Sequence, residues 1–166
     1  ARLLLEATRA AVEVAGADRV GVRLSPYGRA NESGEDDPMP LYSYVVAELN
    51  KMGVAYLHLI EPRASGAGQR EVDHKDVPSG CETFRPLWKG ALITAGNFKP
   101  DNAADTVANG HADAIAFGRF FISNPDLPER IRVGAQFTPY DRGTFYGGDA
   151  KGYTDYPTMV AADAAV

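Results

Sequence analysis

The sequence VAYLHLI at residues 54–60 is one of four short apolar segments that decide the predicted fold. Each segment has the length of a strand and is apolar on consecutive positions, as expected of a β-strand that is buried on both faces. The four predicted strands are VGVRL at residues 20–24, VAYLHLI at 54–60, ALITA at 91–95 and AIAF at 114–117.

Helical patterns separate these strands. Apolar residues recur at helical spacing in the first segment, ARLLLEATRAAVEVAGADR at residues 1–19, and predict an amphipathic helix. Further helices are predicted at residues 41–52, 99–109 and 124–133, each followed by a glycine that can end a helix. Alternating helices and strands are typical of βαβ units and a parallel α/β sheet. Both an open doubly wound sheet and part of a barrel fit this order.

The composition excludes several classes of function. A net charge of −5 argues against nucleic acid as a partner, because binding to a phosphate backbone needs a basic face. No apolar run approaches the roughly 18 residues needed to span a bilayer, so no membrane partner is expected. The single cysteine, Cys81, excludes an internal disulfide and is compatible with a reducing compartment. We therefore expect a cytoplasmic protein.

The ends of the predicted strands carry the residues that suggest a ligand. Arg23 lies inside an apolar strand, and a charge buried there requires an anionic partner. Gly96 and Gly118 leave room for a phosphate to approach backbone N–H groups, and Arg119 adds a charged donor. The loops after strands seven and eight of (β/α)8 barrels often bind phosphate. Taken alone, Gly96-Asn97 or Gly118-Arg119 is better interpreted as a turn glycine beside a surface residue, whereas two such pairs on successive strand ends favour a phosphate site.

The motifs of the chain, taken together, resemble the Old Yellow Enzyme family of flavin-dependent ene reductases, which includes the 12-oxophytodienoate reductases. The similarity runs from about residue 17 to residue 157. Its motifs are VGVRLSPYG (20–28), YLHLIEPR (56–63), ITAGNF (93–98), FGRFFISNPDLPERI (117–131), YDRGTFYGG (140–148) and GYTDYP (152–157).

This resemblance implies a fold and a set of site residues. Residues 1–166 would form the C-terminal half of a (β/α)8 barrel, with four parallel βα units and the N-terminal half absent. Arg23 matches the arginine beside the flavin ring. The positions that match the family's phosphate contacts are Gly96, Asn97, Gly118 and Arg119, and those that match substrate contacts are Arg63 and Tyr146.

The resemblance also implies a reaction. FMN would carry a hydride from NAD(P)H to an activated C=C bond of a small enone or nitroalkene. The family's oxyanion motif, His-x-x-Asn or His-x-x-His, fits none of His58, His74 and His111, so no catalytic residue is expected in this chain. Activity would then need a complementary N-terminal half-barrel chain or a second copy.

The alternatives are a non-catalytic flavin- or phosphate-binding half-barrel and a different phosphate-dependent barrel enzyme. No metal is expected, since the DHKD segment at residues 73–76, which contains a lysine, is interpreted as a solvated charge cluster.

Overall fold

A computed structural model describes residues 1–28, 34–62 and 78–159 of the chain. The chain divides into two compact units, Ala1–Ala116 and Phe117–Val166. Among the described helices, none has both the length and the apolar character that crossing a membrane requires.

The first unit is built on a sheet of four parallel strands in the order β1-β2-β3-β4. The strands are β1 (Gly21–Leu24), β2 (Tyr56–Ile60), β3 (Ala91–Ala95) and β4 (Ala114–Ala116). Each lies within a segment that the sequence predicts to be a strand. The order contains no reversal, whereas a doubly wound sheet reverses at its switch point. Of the two topologies left open by the sequence, this one favours a barrel, in which the strands follow one another in chain order.

Four helices connect or precede these strands. They are α1 (Arg2–Ala15), α2 (Pro38–Met52), α3 (Gly80–Phe84) and α4 (Pro100–Ala108). Helix α2 begins three residues earlier than predicted, because the Asp37 side chain caps it by accepting a hydrogen bond from Met39 N, at 3.2 Å. It ends as predicted at Gly53, whose φ of 67° is left-handed. Helix α3 follows residues 63–77, which lie outside the described structure.

One face of the sheet is covered by helices and holds the core. The side chains of the sheet that are fully buried on this face are Leu57, Leu59, Leu92 and Thr94. The three leucines pack with Val46 and Leu49 of α2 and with Phe84 of α3 in one hydrophobic cluster. Burial of this face supplies most of the hydrophobic stabilisation of the unit.

The opposite face of the sheet is only partly covered by the described residues. Along β2, exposed or half-buried side chains alternate with fully buried ones, and Tyr56, His58 and Ile60 lie on the less buried face. Arg23 lies on the same face and is exposed. The expectation that these strands are buried on both faces was therefore wrong for this chain, and so was the buried charge at Arg23. Parallel sheets normally have both faces covered, which is why the sequence is apolar on both.

The described part of the second unit, residues 117–159, contains two short α-helices and a tail with one 3-10 turn at Arg142–Thr144. Helix α5 spans Arg119–Ser123 and helix α6 spans Leu127–Val133. The strand predicted at residues 114–117 ends at Ala116, and Arg119 begins a helix. The helix predicted at 124–133 begins only at Leu127, because the Asn124 side chain accepts a hydrogen bond from Thr138 N (2.7 Å) and donates to Phe120 O (2.8 Å).

Candidate functional site

Two predicted site elements lie at the same edge of the sheet in the first unit. Arg23 is the third of the four residues of β1, and its Cα is paired with that of His58 in β2. Gly96 and Asn97 follow the last residue of β3 directly. The carboxyl ends of parallel strands lie at one edge, and β1 and β3 are separated only by β2. The two strands are therefore about 10 Å apart, and the structure brings Arg23 and the Gly96–Asn97 turn to one side of the unit.

The turn at Gly96 and Asn97 has a backbone shape that few residues adopt. Gly96 has a φ of 131° and Asn97 a φ of 52°. A Cβ atom on Gly96 would lie 2.9 Å from Glu61 Cβ and 3.2 Å from Glu61 N and O. Glycine is therefore required here by the neighbouring strand, whatever ligand the turn binds. Asparagine is among the few other residues that tolerate a left-handed backbone.

Glu61 is a buried carboxylate that the sequence reasoning did not single out. It directly follows β2 and is 1% exposed. Oε1 accepts from Thr94 Oγ1 at 2.7 Å and from Cys81 N at 2.9 Å. Oε2 accepts from Gly80 N at 2.7 Å and from Ser79 Oγ at 3.2 Å. The available signal was a glutamate immediately after an apolar strand, since a carboxylate there is tolerated only if donors surround it.

Arg23 and His58 are neighbours on the less buried face of the sheet. Burial lowers the pKa of His58, and the positive charge of Arg23 lowers it further, so the imidazole is neutral near pH 7. The His58 Nε2 atom is buried and has no hydrogen-bond partner among the described residues. Buried polar atoms are nearly always paired, so this nitrogen indicates that something further covers the face.

The second unit carries Gly118 and Arg119 at the start of α5. A Cβ atom on Gly118 would meet no atom within 4 Å, so nothing in the described structure requires glycine there. The guanidinium carbon of Arg119 lies 5.8 Å from the centroid of the Tyr140 ring, and that of Arg142 lies 5.5 Å from the same centroid. Cation–π contacts of this kind orient a guanidinium group. The aromatic residue that positions Arg119 was not predicted from the sequence.

The PDLPERI stretch at residues 125–131 has a structural role in the second unit. Arg130 is 6% exposed and donates from Nε to Asp126 Oδ1 at 2.7 Å. It also donates from Nη1 to Gln136 O at 2.8 Å and from Nη2 to Pro157 O at 3.3 Å. These bonds hold the tail that follows α6 against the two helices.

Of the two residues predicted to contact substrate, the structure describes only Tyr146. Tyr146 lies in the tail of the second unit and is 72% exposed. Arg63 and the charged segment at residues 73–76 lie outside the described residues. Among the residues that are described, no cluster of three or more His, Cys, Asp and Glu side chains could hold a metal ion.

Comparisons with known proteins agree with the motifs. The model of the NADH:flavin oxidoreductase / NADH oxidase family matches residues 1–137. The chain is 41% identical to 12-oxophytodienoate reductase 2 of Arabidopsis thaliana over 160 residues, covering 95% of the chain and 41% of that protein. It is also 41% identical to the flavin oxidoreductase hxnT of Emericella nidulans, covering 94% of the chain and 44% of that protein.

Solved structures give the same result for the fold. Morphinone reductase superposes with a TM-score of 0.85 and 42% identity, over 97% of this chain and 42% of that one. The old yellow enzyme from Trypanosoma cruzi superposes with a TM-score of 0.84 and 28% identity, over 95% of this chain and 40% of that one. The chain thus spans about two fifths of the length of its relatives.

These similarities confirm the α/β fold predicted from the sequence, four parallel βα units that correspond to half of a (β/α)8 barrel. They also confirm, at the level of the family, the expected flavin cofactor and nicotinamide reductant; a related morphinone reductase structure contains tetrahydroNAD. The family model covers more than half of the chain, and the chain belongs to the NADH:flavin oxidoreductase / NADH oxidase family.

Proposed function

We propose that this chain forms the FMN-binding wall of an NAD(P)H-dependent ene reductase. FMN, when bound, supplies hydride transfer between NAD(P)H and the β-carbon of an activated alkene. The substrates would be α,β-unsaturated ketones or aldehydes, nitroalkenes or maleimides. The observation that carries the proposal is the position of Arg23 and the Gly96–Asn97 turn at one edge of a parallel sheet, where α/β folds bind ligands.

Arg23 is proposed to lie beside the flavin ring. Its guanidinium is exposed on the less buried sheet face, next to a neutral His58, so its charge is available to a ligand. A fixed cation beside the ring favours the negative charge that a flavin gains on reduction. Within a covered, water-poor barrel this stabilisation would be stronger than at an exposed surface.

The flavin phosphate is proposed to bind at Gly96, Asn97, Gly118 and Arg119. Strand β4 pairs with β3 in parallel and ends at Ala116, two residues before Gly118, so the chain leaves the sheet at the edge where Gly96 lies. A helix start next to an arginine provides backbone N–H donors and a guanidinium fork for a phosphate. The space beside Gly118 supports a close approach of ligand to backbone.

Two residues are proposed to contact substrate. Tyr146 is exposed in the tail of the second unit and can present its hydroxyl and ring to a small molecule. Arg63 follows β2 by three residues and is proposed from the family resemblance alone. The acid–base groups that complete the reaction would come from another part of the barrel.

A complementary N-terminal half-barrel, or a second copy of the chain, is proposed to cover the open sheet face. The support is physical. The face that carries Arg23, Tyr56 and His58 is otherwise formed by apolar side chains such as Ile60, Ile93 and Ala95, yet it is only partly covered, and His58 Nε2 has no partner among the described residues. Four further strands would pair with the outer edges of β1 and β4 and close the barrel.

The test is reconstitution. The chain is purified alone and together with an N-terminal half-barrel of the same protein, and bound flavin is identified from the absorbance of the denatured sample. We expect FMN in the reconstituted protein and oxidation of NADPH or NADH that depends on cyclohexenone. Bound FMN without turnover in either sample would favour the non-catalytic flavin-binding alternative. Absence of flavin from both samples would contradict the proposal.

A further inference from the structure

Glu61 connects three segments at the carboxyl edge of the sheet. Its backbone N–H donates to Ala95 O at 2.7 Å, and its carboxylate accepts from Thr94 Oγ1. Its Cβ would lie 2.9 Å from a Cβ atom on residue 96, which is too close for a side chain there. Glu61 therefore contacts three consecutive residues that lead into the Gly96–Asn97 turn.

The same carboxylate fixes the start of α3. The N–H groups of Gly80 and Cys81, which have no partner within the helix, donate to Oε2 and Oε1 respectively. Ser79 Oγ adds a further bond to Oε2. Glu61 is thus hydrogen-bonded to Ser79, Gly80 and Cys81, which follow it in the chain by about 20 residues. A single carboxylate, 1% exposed and surrounded by four neutral donors, sets the spacing between α3 and the turn after β3.

We propose that Glu61 is a positioning residue for phosphate recognition: it holds the Gly96–Asn97 turn in the shape that binds the FMN phosphate. This inference rests on the proposed function. It concerns the shape of the turn, since Glu61 is buried beneath it and donates no group to a ligand. Glycine and asparagine both permit positive φ angles, so the sequence allows this turn without selecting it over other shapes, and the contacts with Glu61 select it.

Glu61→Gln tests the proposal because glutamine cannot replace the carboxylate in either orientation. Each carboxylate oxygen accepts a backbone N–H, from Cys81 or from Gly80, so the amide NH2 of glutamine would always face a donor. Thr94→Val is a milder second variant, which removes only the hydroxyl that donates to Oε1.

The measurement compares FMN with riboflavin, which lacks the phosphate. Dissociation constants for both are obtained by fluorescence titration of the flavin-free full-length protein. Because a charge-assisted contact depends steeply on geometry, we expect Glu61→Gln to weaken FMN by roughly tenfold or more and riboflavin by less than about twofold. Thr94→Val should lower the ratio of FMN affinity to riboflavin affinity by a smaller factor.

Asp113→Asn is the matched control. Asp113 Oδ2 also accepts a backbone N–H of β3, from Leu92 at 2.7 Å, together with Arg85 Nη1 at 2.8 Å, but at the amino edge of the sheet. This variant should lower thermal stability and leave the ratio of FMN to riboflavin affinity unchanged.

Three results would overturn the inference. If Glu61→Gln weakens both flavins equally, its role is general stability. If Glu61→Gln does not fold, Thr94→Val decides, and an unchanged ratio in that variant rejects the proposal. If the unaltered protein binds FMN and riboflavin with equal affinity, the phosphate assignment itself fails, and the failure lies in the proposed function.

Discussion

Gly96 and Glu61 approach so closely that a Cβ atom on Gly96 would lie 2.9 Å from the Cβ of Glu61. Strands β2 and β3 therefore meet at their carboxyl ends through a contact that only glycine permits. This contact has a consequence for stability that can be separated from any ligand.

Gly96→Ala should lower the free energy of unfolding by about 3 kcal/mol, since it combines an unfavourable backbone with a steric clash in a packed region. Gly53→Ala is the control: its φ of 67° is also left-handed, but a Cβ there meets nothing within 4 Å. That variant should cost about 1 kcal/mol. Urea unfolding measures both. Equal losses would show that the Glu61 contact is relaxed at little cost.

Arg23→Ala should slow reduction of bound flavin by NADPH by roughly tenfold or more while FMN content stays near normal, because the lost charge acts on the reduced ring. Arg19 lies just before β1, at the opposite end of the strand, and is exposed. Arg19→Ala should therefore leave the rate unchanged. Stopped-flow absorbance follows the flavin directly. An unaltered rate in Arg23→Ala would exclude Arg23 from the site.

Arg119→Ala should weaken FMN binding by about tenfold or more and leave riboflavin binding nearly unchanged, because a guanidinium–phosphate pair is a charge-assisted contact. Arg119→Lys keeps the charge but loses the planar fork and its stacking on Tyr140, so it should restore only part of the affinity. Fluorescence titration distinguishes the three proteins. Equal effects on both flavins would assign Arg119 to the structure of the tail.

Arg130→Ala should destabilise the second unit by about 3 kcal/mol, because Arg130 is largely buried and its loss removes three hydrogen bonds, one to Asp126 and two to backbone carbonyl groups of the tail. Arg132, two residues further along α6, is exposed and paired with Glu129. Arg132→Ala should have a much smaller effect. Limited proteolysis reports release of the tail, and cleavage should accelerate only in Arg130→Ala.

Cys81 should react slowly with thiol reagents in the folded protein. The pKa of the thiol is raised to about 11 from an ordinary value of 9.0, and burial is the largest cause of this shift. At pH 8 this lowers the thiolate fraction by about a hundredfold, and the buried sulfur is also shielded. The folded chain keeps the thiol proton to a higher pH than the unfolded chain. The free energy of unfolding is therefore at its full value below pH 9 and falls as the pH rises towards 11. Labelling before and after unfolding in urea measures the effect. Fast labelling of the folded chain would contradict it.

Much of the framework could be predicted from local sequence. The segment ALITA at residues 91–95 coincides with β3, and the glycines after residues 52 and 133 end their helices in left-handed conformations. These features depend on neighbouring residues along the chain, on side-chain periodicity and on backbone freedom, so they can be read without knowing what packs where.

Other features depended on contacts between distant segments. The sequence did not predict the role of Glu61, because its four donors come from residues 79–81 and 94 and become neighbours only when β2, β3 and α3 pack together. Nor did it predict that Tyr140 stacks with Arg119, or that Arg23 is exposed.

The sequence by itself determined the strands, the glycine-terminated ends of α2 and α6 and the family, since all of these are recorded in local patterns and ordered motifs. The tertiary structure alone decided which sheet face is covered, why residue 96 is glycine, and which buried charges are satisfied. The physical reason is that burial and hydrogen-bond pairing are properties of atoms brought together from far along the chain, and their free energies exist only after the chain has folded.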